Sequence, residues 1–174
     1  ISPPGVQWLS VPRHPNRFDE VARLLQDAGL RVARRSAWQG DVPVAADVWL
    51  GDSMGEMAAY YTLADVVLLG GSFAPLGGQN LIEAAACGCP VVLGPHTFNF
   101  AEATELACEA GAAWRTPGLP AAADKALALV QHPHDLETAR AAAAAFAQAH
   151  RGAARATARQ VADLLGVAAS SAKD

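Results

Sequence analysis

The sequence predicts an α/β fold built on a doubly wound, mainly parallel, Rossmann-like sheet, and three observations carry that prediction. Short apolar runs alternate with segments whose apolar residues recur at helical spacing, the rhythm of β-to-α units joined by right-handed crossovers. One run, Val66-Val67-Leu68-Leu69, is apolar without interruption, as in a strand covered on both faces. Glycine-rich segments stand just after the runs, where an open parallel sheet keeps its ligand crevice.

Taken in order, Val6 to Val11 reads as the first strand, stopped by Pro12-Arg13-His14-Pro15. Asn16 is the expected N-cap of a helix, because Phe18, Val21, Ala22, Leu24, Leu25 and Ala28 follow at helical spacing and Gly29 closes the segment. Leu30 to Ala33 is expected to be a second short strand, Trp38 to Ala46 a loop, and Val48-Trp49-Leu50 a third strand ended by Gly51-Asp52. Ser53-Met54-Gly55-Glu56 opens a helix running to about Leu63. After the strand Val66 to Leu69 comes the loop beginning Gly70-Gly71-Ser72, then a helix from Asn80 to near Gly88 and a buried strand from Pro90 to Leu93. Gly94-Pro95-His96-Thr97-Phe98 leads into a helix capped by Asn99, and Ala112 to Trp114 fits a last strand. From about Leu119 to Gly166 the chain turns to alanine-rich helix, broken near His132-Pro133. Its run Ala141 to Ala145 favours helix but offers little side chain, so this arm has to lie close against a neighbour. Residues 1–166 are expected to form one domain, with 167–174 a disordered tail.

Composition narrows the function. The 174 residues are 52% hydrophobic and 17% charged, enough to fill the core of one domain. Thirteen basic against seventeen acidic residues give a formal charge of −4, the reverse of a nucleic-acid groove. No apolar run approaches the roughly 20 residues needed to span a bilayer, so a soluble chain is expected. It begins Ile1-Ser2-Pro3-Pro4, which suggests a piece of a longer protein. Three cysteines, Cys87, Cys89 and Cys108, argue against a disulfide framework and for a reducing compartment. No second Cys/His pair stands at zinc-like spacing from Cys87-Gly88-Cys89, so these read as small buried residues.

The segments that do not read as core all follow strands: Pro12 to His14, Gly51 to Glu56, Gly70 to Glu83 and Gly94 to Asn99. The loop Gly70 to Asn80 is neither a nucleotide P-loop nor the dinucleotide fingerprint. Its glycines suit either close approach of the backbone to a phosphate or a long turn that needs positive φ. Glu83, Glu56 and Glu102 each lie three residues after Asn80, Ser53 and Asn99, the capping-box spacing; Glu83 is also placed to accept both hydroxyls of a ribose. Arg13 is the permanent cation that stands just past a strand and before a His-Pro turn, fit to hold a phosphate or carboxylate or simply to be solvated. His14 and His96 could move protons, but neither has a Ser or Cys nucleophile partner. There is no Asp-x-Asp metal clamp, so no divalent metal and no cofactor is expected.

Four blocks of the sequence resemble the 3-deoxy-D-manno-octulosonic acid (Kdo) transferases of lipopolysaccharide assembly. They are Val11-Pro12-Arg13-His14-Pro15-Asn16-Arg17-Phe18; Gly51-Asp52-Ser53-Met54-Gly55-Glu56; Gly70-Gly71-Ser72 through Gly77-Gly78-Gln79-Asn80-Leu81-Ile82-Glu83; and Gly94-Pro95-His96-Thr97-Phe98-Asn99-Phe100. Together they cover about Val6 to Arg115.

The resemblance implies the C-terminal, donor-binding half of a two-domain GT-B glycosyltransferase. Such an enzyme moves Kdo from CMP-Kdo to the lipid A precursor at the cytoplasmic face of a Gram-negative inner membrane. It also implies that the catalytic base and the membrane anchor lie in an N-terminal domain, with no catalytic residue in this chain. Matched position by position, the CMP-Kdo contacts are Pro12 and Arg13, Met54, Gly55 and Glu56, and Gly77, Gly78, Gln79, Asn80, Leu81, Ile82 and Glu83. Phosphate falls to Arg13 and the helix start at Asn80, ribose to Glu83, and the cytosine edge to the Met54-Gly55-Glu56 backbone. The family motif has His where this chain has Gln79, a hydrogen-bond donor but not a proton donor. Two other functions fit the residues: a GT-B enzyme with a UDP-sugar donor, and a non-catalytic module whose alanine-rich helices dock on a partner.

Overall fold

Strands of only two or three residues, flanked by much longer helices, build this chain in a computed structural model that describes residues 3–40, 43 and 45–164. The chain divides into two units, Ile1–Met57 and Ala58–Asp174. Each carries a three-stranded, fully parallel sheet, so the mainly parallel α/β class holds.

In the first unit β1 (Trp8–Ser10), β2 (Val32–Arg34) and β3 (Val48–Leu50) pair in the order β1-β3-β2, with Ser10 and Arg34 both opposite Leu50. The most apolar of the three is central: Val48 and Leu50 are buried. Trp49 donates its indole N–H to the Pro43 carbonyl at 2.9 Å and meets Trp38 edge to face at 5.5 Å. The helix α1 (Phe18–Asp27) is amphipathic and buries Ala22. It ends as expected: Gly29 takes φ +80°, Gly29 N–H donates to the Gln26 carbonyl and Leu30 N–H to the Leu25 carbonyl, the pattern of a Schellman cap. Its start differs. Asn16 lies inside a 3₁₀ turn, Pro15–Arg17, and Arg17 holds the cap position without a side-chain bond. Pro15, with its fixed φ, starts a turn that runs straight into the helix, so no Asx cap is needed.

In the second unit β4 (Val67–Leu68), β5 (Val91–Leu93) and β6 (Ala113–Arg115) pair in that order, with Val91 between Val67 and Ala113. All of β5 is buried. Five helices accompany it: α2 (Met57–Leu63), α3 (Leu81–Ala86), α4 (Ala101–Glu109), α5 (Leu119–Gln131) and α6 (Pro133–Leu164). One core joins Leu69, Leu81, Ala84, Ala85, Val91, Leu93, Ala107, Ala113, Ala143, Phe146 and Ala147. The alanine-rich arm therefore does what its composition demands, since α6 packs on α3 and Ala143 and Ala147 are buried in the same core as Ala84 and Ala85. Arg140 on α6 also pairs with Asp65 at 2.6 Å. The break comes at His132-Pro133 as expected; residues 167–174 lie outside the described residues. Asn99 is not a helix cap either. It stands in a 3₁₀ turn, Phe98–Phe100, and α4 starts at Ala101 without a side-chain cap.

The three thiols are free, with Cys89 buried and Cys87 and Cys108 half-buried. Burial pushes the Cys89 thiol up to about 12, against a smaller downward pull from Arg140, and burial also raises Cys108. Because the thiolate is the nucleophile, iodoacetamide at pH 8 is expected to leave Cys89 unmodified in the native chain and to alkylate it after denaturation, as read by peptide mass. Among the described residues no helix is long and apolar enough to cross a membrane.

Candidate functional site

Parallel pairing gathers the carboxyl ends of the strands on one edge of each sheet, and the singled-out loops leave from those edges. In the second unit the loops after β4 and β5 are stitched together by Ser72, which is fully buried. Its hydroxyl donates to the Leu69 carbonyl at 2.6 Å and accepts from the Gly94 N–H at 2.7 Å, and its carbonyl accepts from the His96 N–H at 3.0 Å. Gly94 permits this approach, because a Cβ there would strike the Ser72 carbonyl.

Gly77 and Gly78 take φ +85° and +83°, so the turn geometry foreseen for the loop is present. Both are buried, and the missing Cβ of Gly77 leaves room for Phe98 and Asn99. Asn99 is a bracket between the loops: its backbone N–H donates to the Gly77 carbonyl at 3.1 Å and its amide to the Leu76 carbonyl at 3.3 Å. The loop ends in Asn80, whose side chain caps α3 by accepting the Ile82 N–H at 3.1 Å. Its amide in turn donates to the exposed Glu83 carboxylate at 3.0 Å. Gln79 and Ile82 are half-buried and Leu81 is in the core.

In the first unit Pro12 and Arg13 follow β1, and Met54, Gly55 and Glu56 follow β3, its hydrogen-bonded neighbour. Arg13 is exposed, and no ion pair joins it to another described residue. Met54 is 70% exposed, and Gly55 takes φ +81°. Glu56 pairs with Arg35 at 2.8 Å and accepts from the Ser53 hydroxyl. The Ser53–Glu56 pair forms as its spacing suggests, but ahead of the helix, which starts at Met57.

The anchor of this edge is Asp52, whose side chain is 1% exposed. It accepts from Arg34 Nε at 2.6 Å, from the Ser36 N–H at 2.8 Å and from the Ser36 hydroxyl at 2.6 Å. Burial alone would raise this carboxyl; the Ser36 bonds and the Arg34 guanidinium overcome it and hold the group below its ordinary value. Arg34 is shared with Asp19 at 2.6 Å.

Within the first unit the structure thus places Pro12, Arg13, Met54, Gly55 and Glu56 on loops from one sheet edge. Within the second it places Gly77 through Glu83 beside the segment 94–99. Sequence reasoning missed the residues that hold these loops still: Ser72, Asp52 and its partners Arg34 and Ser36, and Thr97, buried and bonded by Arg115 at 3.1 Å. Asp52 and Ser72 sit inside quoted blocks, but Asp52 is held by partners 16 and 18 residues away and Ser72 accepts from Gly94 at a separation of 22, beyond any local spacing rule. His14 is exposed and His96 half-buried. A groove of about 540 Å3 lies elsewhere, lined by Gly111, Trp114, Lys125, His132 and Asp135 on the α5 and α6 side. Lys125 stands 4.5 Å over the Trp114 ring there, away from the carboxyl ends of the strands.

No protein-family model matches the chain. A 3-deoxy-D-manno-octulosonic acid transferase of Bordetella pertussis is 54% identical over 158 residues, which are 91% of this chain and 37% of that protein. A 3-deoxy-D-manno-octulosonic acid transferase of Haemophilus influenzae is 42% identical over 107 residues, 61% of this chain and 25% of that protein. The chain thus spans well under half the length of these curated relatives. Among solved structures, the C-terminal CMP-Kdo binding domain of WaaA from Acinetobacter baumannii superposes with a TM-score of 0.75 at 35% identity, over 80% of this chain and 72% of that one. The quoted blocks, the parallel α/β architecture and a likeness that takes in most of a solved domain agree: the chain belongs to the 3-deoxy-D-manno-octulosonic acid transferase family.

Proposed function

We propose that this chain is the donor-binding part of a glycosyltransferase that moves Kdo from CMP-Kdo to the lipid A precursor at the cytoplasmic face of the inner membrane. The observation that carries the reading is the likeness to a solved CMP-Kdo binding domain at 35% identity over 80% of the chain. In this reading residues 1–166 are the donor-binding domain. Arg13, exposed and unpaired among the described residues, is a phosphate ligand, and the amides at the start of α3 are hydrogen-bond donors to phosphate in their own unit. Asn80 already occupies the Ile82 amide, so Leu81 and Glu83 supply the free N–H groups that every helix start offers. The Met54-Gly55-Glu56 backbone, held by the Glu56–Arg35 pair, meets the cytosine edge. Glu83, one turn into α3 and open to solvent, accepts the ribose hydroxyls. The acid/base group of the transfer belongs to the N-terminal domain of the whole enzyme, so the chain alone binds donor without transferring it.

Glu83→Ala separates ribose binding from capping. Charge-assisted hydrogen bonds contribute roughly 1.5 to 3 kcal/mol, about ten- to hundredfold in affinity. The expected result is that loss in CMP affinity by calorimetry with a melting temperature close to wild type, because the Asn80–Glu83 bond is exposed. A stability loss of about 1 kcal/mol with unchanged CMP affinity would return Glu83 to capping alone. Competition by UMP at equal strength would favour a UDP-sugar donor.

A further inference from the structure

The proposed roles leave one charged group of the donor without a partner: the sugar is an octulosonic acid, a carboxylate at neutral pH. In the second unit, Arg115 is the described guanidinium that stands at the carboxyl end of a strand, closing β6 opposite Leu93. The loop Gly94 to Asn99 leaves from Leu93, and Arg115 Nη2 donates to the hydroxyl of the buried Thr97 within it at 3.1 Å. Thr97 in turn lies against Gly78: a Cβ placed on Gly78 would be 3.5 Å from the Thr97 Cα. One buried residue therefore links the guanidinium to the glycine loop. Arg115 also pairs with Glu105 at 2.8 Å, with side chains 37% and 60% exposed. An exposed pair of that kind is weak and readily exchanged, whereas a guanidinium facing a carboxylate can form two parallel bonds.

We propose that Arg115 selects the donor by its sugar carboxylate, releasing Glu105 to water and keeping Thr97 as the brace that orients the guanidinium. The inference rests on the CMP-Kdo reading above and adds to it a residue that recognises the acid group of the sugar, not the nucleotide. It predicts opposite signs for two neighbouring substitutions. Arg115→Ala should weaken CMP-Kdo binding about tenfold or more while CMP binding stays within about twofold. Glu105→Gln, which frees the guanidinium, should strengthen CMP-Kdo binding and leave CMP unchanged. A brace-only role for the Arg115–Glu105 pair predicts instead that both substitutions weaken both ligands alike.

The test is titration of the chain and the two variants with CMP and with CMP-Kdo, followed by amide shifts. The Kd ratio of CMP-Kdo to CMP is the readout, because a general loosening of the loop moves both constants together and leaves the ratio fixed. Arg115→Lys covers the case in which Arg115→Ala fails to fold: it should keep the fold and lose most of the preference for CMP-Kdo over CMP. A ratio unchanged in Arg115→Lys, or Glu105→Gln weakening CMP-Kdo, overturns this inference while the CMP reading stands. A wild-type chain that binds neither ligand overturns both.

Discussion

Gly94→Ala is expected to destabilise the second unit by about 3 kcal/mol and to abolish its ordered loop edge. An added Cβ would lie 2.7 Å from the Ser72 carbonyl carbon and from Cδ1 of Phe73. The first of these is backbone, which cannot turn aside as a flexible side chain can. Relief requires the loops after β4 and β5 to part, which breaks the Ser72 hydroxyl bond to Gly94 N–H and the His96 N–H bond to the Ser72 carbonyl. Each lost bond leaves a polar group unsatisfied at a buried position, at about 1–3 kcal/mol. Gly70→Ala is the control, because nothing lies within 4 Å of a Cβ there; it should be close to neutral. Chemical denaturation of both variants compares them directly, and a Gly94→Ala midpoint equal to that of Gly70→Ala would contradict the packing of these loops.

The second large effect is at Asp52. Asp52→Ala removes three hydrogen bonds and strands the Ser36 N–H. Arg34 keeps Asp19 and is 37% exposed, so the loss should fall below that of breaking a fully buried ion pair, at about 2–3 kcal/mol. The carboxyl is held below its ordinary value in the folded chain by Ser36 and Arg34 against the opposing pull of burial. A depressed carboxyl stabilises the fold fully above the unfolded value, near pH 4, and that contribution is lost as the pH falls through the folded value. The stability gap between wild type and Asp52→Asn should therefore be widest near pH 7 and narrow at pH 3. A gap that does not change with pH would mean that the carboxylate charge is not what holds Ser36 and Arg34.

Much of this was legible in the chain because the signals are local. Gly29 closes α1, Pro133 opens α6 and Asn80 caps α3, each through contacts within a few residues. The apolar residues of β5 marked it as a buried strand, and it is one; the uninterrupted run Val66 to Leu69 promised a strand covered on both faces, but only Val67–Leu68 pair, half-buried at the sheet edge beside β5. Asn16 and Asn99 misled because proline-led or aromatic 3₁₀ turns supply helix starts without a side-chain cap, and the spacing rule cannot see such a turn. Alanine composition told that α6 must pack closely, and α3, itself alanine-rich, is the face that accepts it. The candidate site divides in the same way. Glycines with positive φ and the Asn80–Glu83 spacing announced themselves, whereas Asp52, Ser72 and Arg115 act through partners on other loops and elements, and only folding reveals those.

Amide chemical-shift mapping of the chain during a CMP titration bears on the whole account most directly. Saturable perturbations concentrated at Arg13, at Met54 to Glu56 and at Gly77 to Glu83 are what donor binding at the strand ends predicts. Saturable shifts confined to the Trp114–His132 groove, or a spectrum unmoved by millimolar CMP, would contradict it.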